Sequence, residues 1–368
     1  MKYYIIAGEA SGDLHGSNLM KELYKIDPQA EIRFWGGDLM SEVGGTCIKH
    51  YKDLAFMGFA EVLLNIRTIL NNISFCKADI LSFNPDKIIY IDYPGFNLRI
   101  AKWAKKQHFQ NHFYIAPQIW AWKENRIKQI KKSIDKLYVI LPFEKPYFEN
   151  KHHFRVSYVG HPLLDAINRR PKKNKADFLA EHQLADKPII ALLPGSRKQE
   201  VNKMLNIMLS VLNDFPDYQF IIAGAPGLPQ TFYQPFLKDK QICLVQNKTY
   251  DLLDNSHAAL VTSGTATLET ALFKVPEIVC YKGSNISYEI AKRVIKLKFI
   301  SLVNLIMDEE VVKELIQHEL NHKNLKKELQ KILKNENREK LLFKYNQLIS
   351  LLGQDGASQK VANEIFAY

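Results

Sequence analysis

The stretch Tyr3-Tyr4-Ile5-Ile6-Ala7-Gly8-Glu9-Ala10-Ser11-Gly12-Asp13-Leu14-His15-Gly16 decides how this chain is read. Apolar residues run to Ala7, a Gly/Ser turn follows, and an amphipathic stretch extends from about His15 to Ile26. A short apolar run that stops at small residues and feeds a helix is the opening of a βαβ unit. The pattern recurs at Glu31–Trp35, at Ile88–Asp92 ahead of Tyr93-Pro94-Gly95, and at Asn111–Ile115 ahead of Ala116-Pro117. Lys136–Leu141 and Arg155–Val159 read as two more strands. A polar stretch from Arg170 to Lys187 reads as a linker region, and then the series restarts. Ile189–Leu193 runs into Pro194-Gly195-Ser196-Arg197, and Gln219–Ala223, Ile242–Val245, Ala258–Val261 and Glu277–Tyr281 follow. The tail from about Glu309 to Gly353 reads as helical, and Ala357–Ala367 as a last helix.

Strands alternating with helices of ~10–15 residues imply parallel sheets covered on both faces. The expectation is an α/β protein of two doubly wound domains, residues 1–170 and 185–350, with a cleft between them. A length of 368 residues agrees with two domains. Hydrophobic residues at 46% and charged residues at 24% exclude a disordered or collagen-like chain. No apolar run approaches the ~18 residues that span a bilayer, and the N-terminus reads as a strand rather than a signal peptide. Cys47, Cys76, Cys243 and Cys280 are scattered without a CxxC pair, so neither a zinc site nor a disulfide framework is expected, and a reducing cytoplasm is the default. The net charge of +11 favours polyanionic partners: nucleic acid, lipid headgroups or phosphorylated substrates.

Ligands of doubly wound sheets bind outside the carboxyl ends of the strands, so four loops carry the chemistry. The first, Gly8 to Gly16, has the small residues and helix N-terminus that suit an anion, although it also reads as a tight turn capped by Ser11 or Asp13. The second places Asp92 at the end of an apolar strand, as a general base or as a turn-forming Asx residue. The third, Pro194-Gly195-Ser196-Arg197, combines backbone amides with a guanidinium and suits a diphosphate. The fourth, Ser263-Gly264-Thr265, opens a helix whose N–H groups face an anion, and Glu269 lies where it could accept from ribose hydroxyls.

Two further features are of mixed meaning. Between Arg99 and Lys132 stand nine Lys/Arg against one acid, Glu124, interleaved with Trp103, Phe109, Phe113, Tyr114, Trp120 and Trp122. That suits nucleic acid or a membrane interface. Phe56–Ile66 is unusually apolar: lipid-seeking if exposed, core if buried. A second basic cluster, Lys292, Arg293, Lys296 and Lys298, reads as a solvated face.

In order along nearly the whole chain, these motifs resemble lipid-A-disaccharide synthases, inverting glycosyltransferases of the GT-B fold with two Rossmann-like domains. The matching pieces are Gly8–Asp13, Met57-Gly58 with Glu61-Val62-Leu63, Ile91–Asn97, Tyr114–Trp122, Leu141-Pro142-Phe143-Glu144 and Val159-Gly160-His161-Pro162. In the second half they are Leu193–Arg197 with Glu200, Ser263–Glu269, and Ser301-Leu302 with Asn304-Leu305. The resemblance implies a UDP-2,3-diacylglucosamine donor, a 2,3-diacylglucosamine 1-phosphate acceptor, a β-1,6-linked disaccharide 1-phosphate product and released UDP. It implies Asp92 as the base and Arg197, with Gly195, Ser196, Ser263, Gly264 and Thr265, at the leaving diphosphate. Glu269 would hold the ribose, Glu9, Ser11, Gly12 and Asp13 would line the opposite wall, and Asn304, Glu310, Glu314 and Gln317 belong to the nucleotide side. No metal or other cofactor is expected, because no Asp-x-Asp pattern is present. The C-terminal helix within 355–368 would pack back on the first domain.

Two departures from the family pattern stand out: Ala116 where Ser is frequent, and Met307-Asp308 in place of a small Ala-Gly pair. With acylated substrates and no membrane span, the implied location is cytoplasmic, peripheral on the inner face of the inner membrane, docked through Met57–Leu64 and the basic aromatic region Arg99–Lys132. A homodimer is left open, and nucleic acid is not an expected partner. Competing readings are a UDP-sugar epimerase on the same scaffold, a nucleic-acid-binding module and, weakest, a nicotinamide dehydrogenase.

Overall fold

The computed structural model describes residues 1–54, 66–168, 170–171, 173–237, 242–283 and 297–368. They form two units, Met1–Arg169 with Leu352–Tyr368, and Arg170–Leu351. The apolar stretch Met57–Leu64 lies outside the described residues, as do Lys292, Arg293 and Lys296.

The first unit is built on a sheet whose described strands are β1 (Lys2–Ala7), β2 (Glu31–Gly36), β3 (Thr46–His50), β4 (Lys87–Ile91), β5 (Gln110–Tyr114), β6 (Lys136–Val139) and β7 (Ser157–Tyr158). Their order is β3-β2-β1-β4-β5-β6-β7, and every pairing is parallel. Central strands are apolar along their whole length because helices cover both faces: all five residues of β4 are buried. Ile5 of β1 stands between Phe34 of β2 and Ile89 of β4. The winding reverses between β1 and β4, so their carboxyl ends diverge into the crevice where such sheets hold ligands.

The second unit repeats the plan with β8 (Ile189–Leu193), β9 (Gln219–Gly224), β10 (Cys243–Gln246), β11 (Ser256–Thr262), β12 (Glu277–Tyr281) and β13 (Lys313–Ile316). The order β10-β9-β8-β11-β12-β13 reverses between β8 and β11. Both switch points therefore fall at loops selected from the sequence.

Several expectations are corrected. The edge strands β3 and β13 escaped the reading because half-exposed edges lack continuous apolar runs. Lys313–Ile316 therefore interrupts the tail read as wholly helical, which continues as helices His322–Ile332 and Asn335–Leu352. Within the stretch read as linker, helix Lys175–Glu181 forms with Asn174 accepting from the Asp177 N–H at its start, and Phe178 is buried in the second core. Strands Lys136–Leu141 and Arg155–Val159 shorten to β6 and β7 as the chain turns away at Ile140 and Arg155.

Helix Ala357–Ala367 packs on helix Ala10–Ile26 of the first unit. The buried Asp165 carboxylate accepts from the Gly356 and Ser358 N–H groups at its start, the latter at 2.9 Å. Tyr158 donates to the Leu352 carbonyl at 3.1 Å. The helix that carries the first glycine-rich loop is thus backed by the end of the chain.

Glu277, the first residue of β12, is fully buried, and neither carboxylate oxygen has a hydrogen-bond partner among the described residues. Burial raises its pKa well above the ordinary glutamate value. Folding then retains a proton that the unfolded chain releases, so stability falls as pH rises from the ordinary value toward the elevated one. Glu277→Gln removes this titration. Its change in Tm relative to wild type is expected to be more favourable at about pH 8 than at about pH 5, at ~2–4 °C per kcal/mol. Thermal unfolding at both pH values checks this, and an equal change at the two contradicts it.

Candidate active site

In the first unit the switch point is occupied by Asp92 and Tyr93, which follow β4. Both have left-handed backbones, with φ of 44° and 49°. Asp tolerates this region through its short polar side chain, but two consecutive non-glycine residues there cost of order 1–3 kcal/mol each and need support. The buried Asn97 supplies it. Its side-chain amide donates to the carbonyl of Asp92 at 2.7 Å and also lies 3.3 and 3.4 Å from those of Ile6 and Ile91. One side chain thus gathers the ends of β1 and β4. The Asp92 N–H donates to the Tyr114 carbonyl at 3.1 Å, joining the turn to β5. Gly8 completes the arrangement, since a Cβ there would lie 2.4 Å from Cδ1 of the Tyr93 ring.

Asp92 is half-buried. Desolvation, then the like charge of Glu9, raise its carboxyl to about 7, against a lowering by the Tyr93 backbone N–H. A carboxylate partly stripped of water yet still reachable is suited to general-base work near neutral pH. A second carboxylate stands nearby. Glu144 is buried, and burial lifts it to about 7, opposed by its hydrogen bonds and reinforced by the charge of Asp92. Its Oε2 accepts from the Ile140 and Leu141 N–H groups at 3.0 and 2.9 Å, and its Oε1 from Trp120 Nε1 at 3.0 Å. Glu144 belongs to a motif matched in the sequence, where nothing marks this use of it. Its partner Trp120 lies 24 residues away, so spacing carries no signal.

The other residues of the first loop divide. Glu9 is half-buried beside Asp92, Ser11 is exposed, and Gly12 brings the helix onto β1, where a Cβ would lie 3.1 Å from that of Ala7. The Asp13 carboxylate is buried and accepts from the N–H groups of Gly37, Leu39 and Met40 at 2.7–3.1 Å. It secures the start of helix Asp38–Val43.

In the second unit, the loop after β8 turns at Gly195, whose φ of +103° favours glycine. Glu200 folds beneath it, within 2.8 Å of where a Cβ would be. Ser196 and Arg197 are exposed, and the guanidinium lies 3.8 Å from Glu200. The loop after β11 is braced from within. Ser263 Oγ donates to the Ile300 carbonyl at 3.0 Å, and Thr267 Oγ1 to the Gly264 carbonyl at 2.8 Å. The Ser263 hydroxyl proton is therefore committed to the fold, while Gly264 and Thr265 are exposed at the helix start. Glu269 is half-buried, and its Oε1 accepts from the Tyr250 hydroxyl at 2.7 Å. Burial raises its pKa, and that hydrogen bond opposes the rise.

Asn304 is tied into the fold. It is fully buried, donates to the Val312 carbonyl and to Glu314, and accepts from the Val311 and Val312 N–H groups. Glu314 accepts from Ile300, Ser301 and Asn304. These two hold the chain against β13. Glu310 is exposed and paired with Lys313 at 2.7 Å. Gln317, at the carboxyl end of β13, is buried with φ of 53°, and its Nε2 has no partner among the described residues. Asp308 takes the left-handed position that ends helix Leu302–Met307, at φ of 51°, where glycine is usual and Asp is tolerated.

The basic aromatic region is only partly a surface. Phe113 and Tyr114 are buried, and Trp103 and Phe109 pack against the core. Trp122 is exposed, with Lys123 Nζ 4.2 Å and the Arg126 guanidinium 5.5 Å from its ring. Lys128, Lys131 and Lys132 are exposed on the helix Ile127–Ser133. No helix among the described residues is long and apolar enough to cross a membrane.

A family model described as lipid-A-disaccharide synthetase matches residues 3–366. The lipid-A-disaccharide synthase of Coxiella burnetii (strain CbuG_Q212) is 38% identical over 367 residues, 98% of this chain and 96% of that protein. Among solved structures, the Neisseria meningitidis UDP-GlcNAc 2-epimerase bound to UDP-GlcNAc gives a TM-score of 0.71 at 13% identity, covering 100% of both chains. The calicheamicin glycosyltransferase CalG4 gives 0.61 at 14% identity, covering 100% of this chain and 97% of that one. These two likenesses concern the fold, and the family match concerns the chemistry. The chain belongs to the lipid-A-disaccharide synthetase family, enzymes of the GT-B fold that build the lipid A disaccharide from a sugar nucleotide and a lipid acceptor.

Proposed function

We propose that this enzyme joins UDP-2,3-diacylglucosamine to 2,3-diacylglucosamine 1-phosphate, with inversion at the donor anomeric carbon. The observation that carries the reading is Asp92: half-buried, held in a left-handed turn at the switch point, with its carboxyl raised to about 7. In the ionised form it takes the proton of the acceptor 6-hydroxyl as that oxygen attacks the anomeric carbon. The bond from that carbon to the diphosphate oxygen breaks on the opposite face, giving the β-1,6 linkage and UDP. Arg197 and the N–H groups that open the helix Thr265–Leu272 meet the charge that develops on the leaving diphosphate, the task for which preorganised donors contribute most. Gly195 and Ser196 shape that loop, and Glu269 accepts from ribose hydroxyls while Tyr250 fixes its orientation. The reaction requires Asp92 and Arg197 to act on one sugar–nucleotide bond. This charge-stabilising set needs no metal.

A base with this pKa is about half ionised at neutral pH, so kcat/KM should rise through about pH 7 and level off above it. In a detergent-dispersed assay with both acylated sugars and mass detection of UDP and disaccharide, Asp92→Asn is expected to lose about 10²–10⁴ in kcat. Turnover within a few fold of wild type would remove Asp92 from the chemistry.

We further propose that the enzyme works at the cytoplasmic face of the inner membrane, docked through Met57–Leu64 and the exposed basic residues near Trp122. Each surface cation contributes about 1 kcal/mol of attraction to an anionic leaflet. Changing Arg126, Lys128, Lys131 and Lys132 to Glu should weaken sedimentation with phosphatidylglycerol vesicles at low salt by about tenfold or more. Unchanged binding rejects the basic part of this surface.

A further inference from the structure

Glu144 does more than the fold requires of it. Its Oε2 alone satisfies the Ile140 and Leu141 N–H groups where the chain leaves β6. Its Oε1 instead reaches the loop after β5 and accepts from Trp120 Nε1 at 3.0 Å. Burying a carboxylate is unfavourable, and a turn can be capped at less cost. What this carboxylate adds is a fixed indole. The Trp120 ring is held at its Nε1 edge by Glu144 and meets Phe143 edge-on, with centroids 4.9 Å apart and planes at 89°.

The Trp120 loop is itself held under strain. Ile115, where it begins, has φ of +65°, a conformation β-branched residues avoid and which the surroundings must enforce. The Ala116 N–H bonds the Tyr138 carbonyl at 3.2 Å, and Tyr147 donates to Glu124 at 3.1 Å further along. The loop leaves the carboxyl end of β5, the strand beside β4 and its Asp92, and Glu144 lies close enough to Asp92 to feel its charge. Trp120 stays half-exposed. A half-exposed aromatic ring, fixed at two edges on the ligand end of a sheet, is suited to the apolar face of a sugar ring.

We propose that Glu144 is a positioning residue that fixes Trp120 as a platform for the acceptor's pyranose ring. The proposal rests on the reading of Asp92, in the same unit, as the base that acts on the acceptor hydroxyl. Uniform orientation of a substrate lowers KM, whereas loss of the base falls on kcat, so the two assignments separate in one set of assays.

Glu144→Gln discriminates well. The amide oxygen still accepts from Ile140 and Leu141, but its NH2 then faces the Trp120 donor and the indole is released. With donor saturating and acceptor varied, Glu144→Gln is expected to fold as wild type by thermal unfolding and raise acceptor KM about tenfold. Its kcat and donor KM should stay near wild type. Trp120→Phe keeps a ring but loses the N–H, so adding it to Glu144→Gln should cause no further rise, the signature of two residues acting through one contact. Trp120→Ala removes the platform and should raise acceptor KM by at least as much. A folded Glu144→Gln with wild-type acceptor KM, effects of the two that multiply in the double variant, or a wild-type acceptor KM in Trp120→Ala would each overturn the proposal. If Asp92→Asn kept its turnover, the base assignment would fall while a raised acceptor KM in Trp120→Ala would still support the platform.

Discussion

A carboxylate partly withdrawn from water at the point where a parallel sheet reverses its winding is the constraint on which the rest depends. The charge of Asp92 is disfavoured where it sits, first by desolvation and then by Glu9, which raises its carboxyl to about 7 and suits the role proposed for it. The surrounding structure maintains that disfavoured state. Asn97 holds three carbonyls at the ends of two strands, Gly8 leaves room for the Tyr93 ring, and the turn has an unfavourable backbone conformation. Each feature opposes relaxation to a solvated carboxylate. The cost is local and is met by the apolar core beneath, where β1 and β4 are buried almost throughout.

The second unit solves the complementary problem with the same topology. It leaves exposed donors, Arg197 and a helix start, at its own switch point and spends its buried polar side chains on bracing. Asn304 and Glu314 illustrate the division. Bonded to backbone and to each other, they brace the loop before β13. The proposed reaction, between a sugar nucleotide and a lipid acceptor, would draw a proton acceptor from the first unit and compensation for phosphate charge from the second.

The sequence made the sheet centres legible and obscured their edges. β8 and β12 coincide with the apolar runs Ile189–Leu193 and Glu277–Tyr281, because strands covered on both faces have no polar alternation to disguise them. β3 and β13, half-exposed, look like loop and helix. Loops after central strands can be chosen by rule, which is why Asp92, Arg197 and the Gly264 turn lie at the two switch points. What could not be read was the use of each side chain. Asp13 accepts from partners at Gly37–Met40, more than twenty positions on, a use no local pattern announces. Asn97 and Glu144 lay in quoted motifs, yet their roles exist only once β1, β5 and β6 are brought together. Of the aromatics interleaved with Arg99–Lys132, Phe113 and Tyr114 belong to a strand, so the surface that remains centres on Trp122.

The central claim concerns the protonation of one side chain, and it is open to direct measurement. Enzyme labelled with carbon-13 at the aspartate carboxyls can be titrated by NMR, with the Asp92 resonance assigned by its loss in Asp92→Asn. The account predicts a midpoint near 7 for that resonance. A midpoint in the ordinary aspartate range, about 3.9, would contradict it, because Asp92 would then be a solvated turn residue and too weak a base for the chemistry assigned to it.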